Sequence, residues 1–158
     1  MGLDMYLSIK ETYSDQEWMT KSSTKDIAKI FGEVSQAIGV VNKDSIEVEY
    51  SAIYWRKANQ IHGYFVNTFA EGNDECQIIP VPREGLVKLL EICAALLDTR
   101  STEMAMELLP PMGGFFFGNY EIDEYYWGDI QETFDQLTTL LAEHPDTWLT
   151  KYEYQSSW

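Results

Sequence analysis

Both ends of the chain alternate apolar and polar residues with period two, and that pattern limits the folds open to it. Leu3, Met5, Leu7 and Ile9 alternate with Asp4, Tyr6, Ser8 and Lys10. At the other end Trp148, Thr150, Tyr152, Tyr154, Ser156 and Trp158 alternate with Leu149, Lys151, Glu153 and Gln155. Side chains of a strand point to opposite faces in turn, so each end reads as a strand with one buried face. Strands at both termini with helices between them predict an α+β fold. The expected form is a single compact domain, residues 1–158, with helices packed on a small antiparallel sheet that pairs the N- and C-terminal strands. A fully helical domain with extended ends is the alternative.

The interior is mostly helical in pattern. Ser23 or Thr24 can cap a helix whose apolar face is Ile27, Ile30, Phe31, Val34 and Ile38, closed by Gly39. Ile46, Val48 and Tyr50 alternate with acids, which suggests a second strand or an extended approach. Tyr54, Ala58, Ile61, Phe65 and Phe69 then fall on one helical stripe, with Gly63 inside it, where another backbone is expected to pass close. Glu71 to Asp74 reads as a turn and Cys76 to Val81 as extended. Pro82 opens a helix with Leu86, Leu89, Leu90, Cys93, Leu96 and Leu97 on its apolar face. Ser101 can cap a short helix through Leu108, which Pro110 and Pro111 stop. Asp123 opens a long helix in which Trp127, Ile130, Phe134, Leu137 and Leu141 share a face, and Pro145 ends it.

With 158 residues, a domain can bury about 68–70% of its unfolded surface and needs no covalent staple. Five Trp, ten Tyr and seven Phe argue against disorder, because disordered acidic chains are poor in aromatics. Cys76 and Cys93 form no CxxC pair and suit a reducing compartment. The start lacks the basic and apolar regions of a secretory signal, and no apolar run approaches the ~20 residues that span a bilayer. A cytoplasmic protein that avoids membranes is expected.

Charge is the next constraint. The chain has 26 acids against 11 bases, a net charge of −15. From Ser101 to Thr150 there is no lysine or arginine, and residues 101–158 carry −10 of the total. Such a surface repels nucleic acid and favours basic partners.

Several segments together resemble a known family. They are Met1-Gly2-Leu3-Asp4-Met5-Tyr6-Leu7, Tyr54-Trp55-Arg56-Lys57-Ala58-Asn59 with Ile61-His62, Gly114-Phe115-Phe116-Phe117-Gly118, Asp123-Glu124-Tyr125-Tyr126 and Ser156-Ser157-Trp158. They resemble small uncharacterised proteins of tailed bacteriophages and prophages, along nearly the whole chain. The resemblance implies an accessory phage role in the host cytoplasm. It brings no catalytic residue with it.

Two candidate sites follow from the residues. The first is an acidic face of Glu121, Asp123, Glu124, Asp129, Glu132 and Asp135. Carboxylates about 5–6 Å apart along a helix loosely imitate a phosphate track, so this face could occupy the basic groove of a host nucleic-acid-handling protein, as a DNA mimic or anti-defence inhibitor. The bland alternative is a solvated helix face. The second is a ligand pocket of Arg56, Asn59, His62, Phe116 and Tyr126. It would make the chain a nucleotide- or phosphate-binding module or a small enzyme, with Arg56 gripping an anion and His62 as acid or base. The bland alternative has Arg56 and Lys57 neutralising Glu47 and Glu49, His62 as a satisfied boundary histidine, and Phe115 and Phe117 in the core with Phe116 half covered. A third reading is a self-associating accessory protein with Trp158 docked on a neighbour. A monomer or small homo-oligomer is expected at this charge. No metal ligand spacing, cofactor motif or catalytic nucleophile motif is present.

Overall fold

The computed structural model describes residues 2–13, 33, 36–37, 46–114, 117–144 and 150–158. In chain order the elements are β1 (Asp4–Tyr13), β2 (Ile46–Arg56), α1 (Asn59–Phe69), β3 (Ile79–Val81), α2 (Arg83–Thr99), α3 (Thr102–Leu108), α4 (Glu124–Glu143) and β4 (Thr150–Ser157). The helix expected at 24–39 lies outside the described residues, apart from Glu33, Gln36 and Ala37, which are helical.

The fold is α+β, and the fully helical alternative is overturned. The sheet has four antiparallel strands in the order β2-β1-β4-β3. The terminal strands pair from Asp4 opposite Ser157 to Glu11 opposite Thr150. Leu3, Met5, Leu7 and Ile9 are wholly buried on one face, with Tyr152 and Tyr154 beside them. The helices cover that face. Ile61, Phe65 and Val66 of α1, Leu86, Leu89, Cys93 and Leu96 of α2, and Ile130 and Leu137 of α4 complete one core, and α2 packs on α4.

Ser101 and Asp123 cap as their positions predict. Ser101 Oγ accepts from Met104 N at 3.2 Å, and Asp123 Oδ1 accepts from Tyr125 N and Tyr126 N at 2.9 and 3.1 Å. In α4, Trp127, Ile130 and Leu137 are buried while Phe134 and Leu141 are half-buried.

The helix expected from Tyr54 begins five residues later. Tyr54, Trp55 and Arg56 finish β2, and α1 starts at Asn59. The cause is a β-bulge. Tyr50 pairs with Ile9 and Ser51 with Ser8, but Ile53 pairs with Leu7, so Ala52 is the extra residue. One inserted residue moves the inward set from even to odd positions. Tyr50 packs on the core before the bulge, and Ile53 and Trp55 are buried after it. A period-two pattern that changes parity midway mimics the spacing of a helix.

This strand also separates charges expected to meet. Glu47 and Arg56 stand nine residues apart on an extended chain, about 30 Å. Lys10 instead reaches Glu153 at 2.7 Å and Glu49 at 3.7 Å. At Gly63 the close neighbour is the Met112 side chain, 3.1 Å from where a Cβ would stand, and not a backbone.

Candidate functional site

A cleft of about 400 Å³ opens where the end of β2, the start of α1 and the start of α4 converge. Arg56 and Lys57 enter from the β2–α1 turn, Asn59 and Gln60 from α1, Gly118, Asn119, Glu121 and Asp123 from the loop before α4, and Tyr125, Tyr126 and Asp129 from α4 itself.

The turn that presents Lys57 is backbone-defined. Lys57 has φ +62°, donates from its N–H to Leu3 O at 2.8 Å and accepts from Asn59 N–H at 2.8 Å. Gly118, at φ +99°, lies against it: a Cβ there would stand 3.4 Å from Lys57 Cβ. Glycine adopts this region without a Cβ clash.

Asn59 holds the opposite wall. Its Nδ2 donates to Phe117 O and Asn119 O at 3.1 and 2.8 Å. Its Oδ1 accepts from Met112 N–H at 3.2 Å. The amide therefore ties both ends of the glycine- and phenylalanine-rich loop to the first turn of α1, and is not free for a ligand. Tyr126 is also occupied. It is buried, and its hydroxyl donates to Leu109 O at 2.9 Å.

Asp129 is the unusual acid. It is partly buried, and Gln60 Nε2 donates to its Oδ2 at 3.1 Å. Among the described residues no cation pairs with it. Burial pushes its carboxyl up to about 6 from an ordinary 3.8, the Gln60 hydrogen bond works in the opposite direction, and the charges of Glu132 and Asp123 add to the rise. A desolvated carboxylate disfavours its charged form.

The six acids expected to share one face divide. Glu121, Asp123 and Asp129 line the cleft, where Asp123 is engaged as the cap and also accepts from Asn119 Nδ2 at 3.1 Å. Glu124 points outward, 3.8 Å from Arg100 Nη1. Glu132 and Asp135 follow Asp129 at three-residue steps, each turning about 60° around the helix axis, and so leave the cleft. Both are exposed and accept from Gln136 and Gln131 at 3.0 Å.

The predicted pocket divides too. Arg56, Asn59 and Tyr126 line the cleft. His62 sits in the core, with no exposed surface. Its Nδ1 is 2.7 Å from Tyr154 Oη and its Nε2 is 3.0 Å from Asp74 Oδ2. Phe116 lies outside the described residues, as does Phe115. Phe117 is buried and meets the His62 ring edge-on at 4.9 Å. Among the described residues no three of His, Cys, Asp or Glu could hold a metal ion together, and no helix is long and apolar enough to cross a membrane.

Sequence reasoning missed Gln60, Gly118, Asn119 and Tyr125. Tyr125 had a signal. It adjoins Tyr126 at a helix start and falls outside the apolar face that runs through Trp127, Ile130 and Leu137. Tyr126 is buried, and Tyr125 is 84% exposed.

No protein-family model, no curated protein and no solved structure matches this chain.

Proposed function

We propose that this is an acidic binding protein whose cleft receives a positively charged side chain from a basic partner. The observation that carries the reading is Asp129, a partly buried carboxylate that faces a neutral amide and no cation among the described residues. An arriving guanidinium or ammonium would replace the hydration Asp129 has lost. Glu121 is exposed beside it for a second contact, and Tyr125 offers a ring to the cation. Tyrosine at such a rim is a common anchor of interfaces.

The acids beyond the cleft extend the attraction. Glu132 and Asp135 are exposed further along α4, outside the cleft, and the last 58 residues carry −10. With the resemblance to phage and prophage proteins, this supports an accessory role in the host cytoplasm. The partner would be the basic surface of a host nucleic-acid-handling factor, which the protein would modulate or inhibit. Nucleic acid itself has the wrong sign to bind.

Fluorescence anisotropy with a labelled arginine-rich peptide tests the reading. Binding is expected at low ionic strength, weakening steeply as salt screens the charges. Asp129→Asn and Tyr125→Ala should each weaken it by about tenfold, which corresponds to ~1.4 kcal/mol. Absence of binding at low salt, or equal binding by both variants, overturns it.

A further inference from the structure

The cationic wall of the cleft has no role in the reading above, and its construction is specific. Lys57 occupies a left-handed backbone position that glycine adopts freely and a lysine adopts at a cost. Two backbone hydrogen bonds fix it there. Its stem runs between two glycines: a Cβ on Gly2 would come within 3.3 Å of Lys57 Cε, and one on Gly118 within 3.4 Å of Lys57 Cβ. The side chain is thus seated by its surroundings. Yet its ammonium has no ion-pair partner among the described residues. Among the described residues Arg56 beside it pairs with Asp4 alone, at 4.0 Å, and that carboxylate already accepts from the Tyr54 hydroxyl. In a chain with 26 acids and 11 bases, Lys57 without an ion pair among the described residues and Arg56 held only by a 4.0 Å contact leave room for an anion from outside.

An anion alone is a poor fit. The cleft sets Arg56 and Lys57 against Glu121, Asp123 and Asp129, which leaves the lining one charge negative, within a protein at −15. A complementary ligand carries one negative group and a net positive charge. Its volume of about 400 Å³ lies toward the small end of ligand clefts.

We propose that the cleft takes a basic zwitterion: a basic residue that also bears a free carboxylate, either as a free amino acid or as the last residue of a peptide chain. The carboxylate lies on Lys57 and Arg56, where the Arg56 fork can grip it in two places. The cationic end lies on Asp129 and Glu121 against the Tyr125 ring. The inference rests on the reading that Asp129 receives a cation, and adds the anionic half of the ligand.

Titrations of the ¹⁵N-labelled full chain, followed by NMR, separate the possibilities. The probes are L-arginine, L-argininamide, a short peptide ending in arginine with a free or amidated terminus, and inorganic phosphate. Amides of Lys57, Gly118 and Asp129 should shift and saturate with arginine, or with the free-acid peptide, at about tenfold lower concentration than with the matching amide. Tighter binding of arginine than of the peptide identifies a free amino acid, and the reverse identifies a chain terminus. Lys57→Gly suits the backbone and should fold. It should erase the preference for a free carboxylate, and Lys57→Arg should retain it. If acid and amide forms bind alike while Asp129→Asn weakens both, this inference falls and the cation-binding reading stands. If phosphate alone shifts the cleft, or no probe does, both fall.

Discussion

His62 Nδ1 lies 2.7 Å from Tyr154 Oη in the centre of the core. The relationship joins the start of the chain's helical layer to its last strand, because His62 is on α1 and Tyr154 on β4. The other ring nitrogen faces Asp74 at 3.0 Å, and Asp74 in turn accepts from Trp158 Nε1 at 3.3 Å. Burial raises the Tyr154 phenol well above its ordinary range, so it stays neutral and available for hydrogen bonding. Phe65 stacks on its ring at 4.2 Å.

Removing that hydroxyl should be costly. Tyr154→Phe keeps the stacked ring but leaves a buried imidazole nitrogen without its partner, a loss of about 1–3 kcal/mol. Tyr6→Phe, on the exposed face of the sheet, should stay within ~0.5 kcal/mol of the native protein. Urea unfolding of the two variants measures the difference. Equal midpoints would show that the buried pair contributes nothing.

Glycines on the two packed helices should respond in opposite directions to alanine. A Cβ at Gly128 of α4 meets nothing within 4 Å, so Gly128→Ala should raise stability by about 1 kcal/mol through helix propensity. At Gly85 of α2 a Cβ would stand 2.4 Å from Phe69 Cζ, and the Tyr64 hydroxyl donates to Gly85 O at 2.8 Å. Gly85→Ala must displace that ring and should lose about 1–3 kcal/mol. Thermal melts of both variants test the contrast.

Terminal strands, caps and the α2 and α4 faces were legible because each depends on local chemistry repeated along a few residues. Leu3 to Ile9 needed only alternation, and Asp123 only its place before an apolar face. What escaped depended on one residue whose effect is non-local. Ala52 carries no bulge signal of its own, yet it shifts the parity of β2 and turns Tyr54–Arg56 from an expected helix into strand. The candidate site was half legible for the same reason. Arg56 and Tyr126 were named as residues of one pocket, and the structure brings them together. His62 follows Asn59 by three residues, which on a helix suggests a shared surface. In α1, however, that spacing sends Asn59 to the loop and His62 into the core.

Asn59 should behave as a clamp. Asn59→Ala deletes two donors to carbonyl oxygens and one acceptor for Met112 N–H, and should lose about 2–4 kcal/mol. Asn59→Asp should be worse still, because it sets a carboxylate against the Phe117 and Asn119 carbonyls. Hydrogen exchange should quicken at Met112 and Phe117 in both variants while α2 remains protected. Unchanged exchange at those two amides would assign the loop's order to other contacts.

Asp129 sets the pH response of both stability and binding. Its folded value, about 6, lies above the ordinary 3.8, so between those values the folded protein binds the proton more tightly than the unfolded chain does. Its contribution to stability is therefore most favourable below about pH 4, declines as pH rises toward 6 and is constant above that. Asp129→Asn removes the titration, and the variant should gain on the native protein across that window. Affinity for a cation runs the other way, since only the ionised carboxylate attracts it. The anisotropy signal of an arginine-rich peptide should strengthen from pH 5 to pH 7 in the native protein. In Asp129→Asn that rise should be lost, because the carboxyl raised to about 6 is gone. A native profile with no rise through pH 6 would remove Asp129 from the binding step.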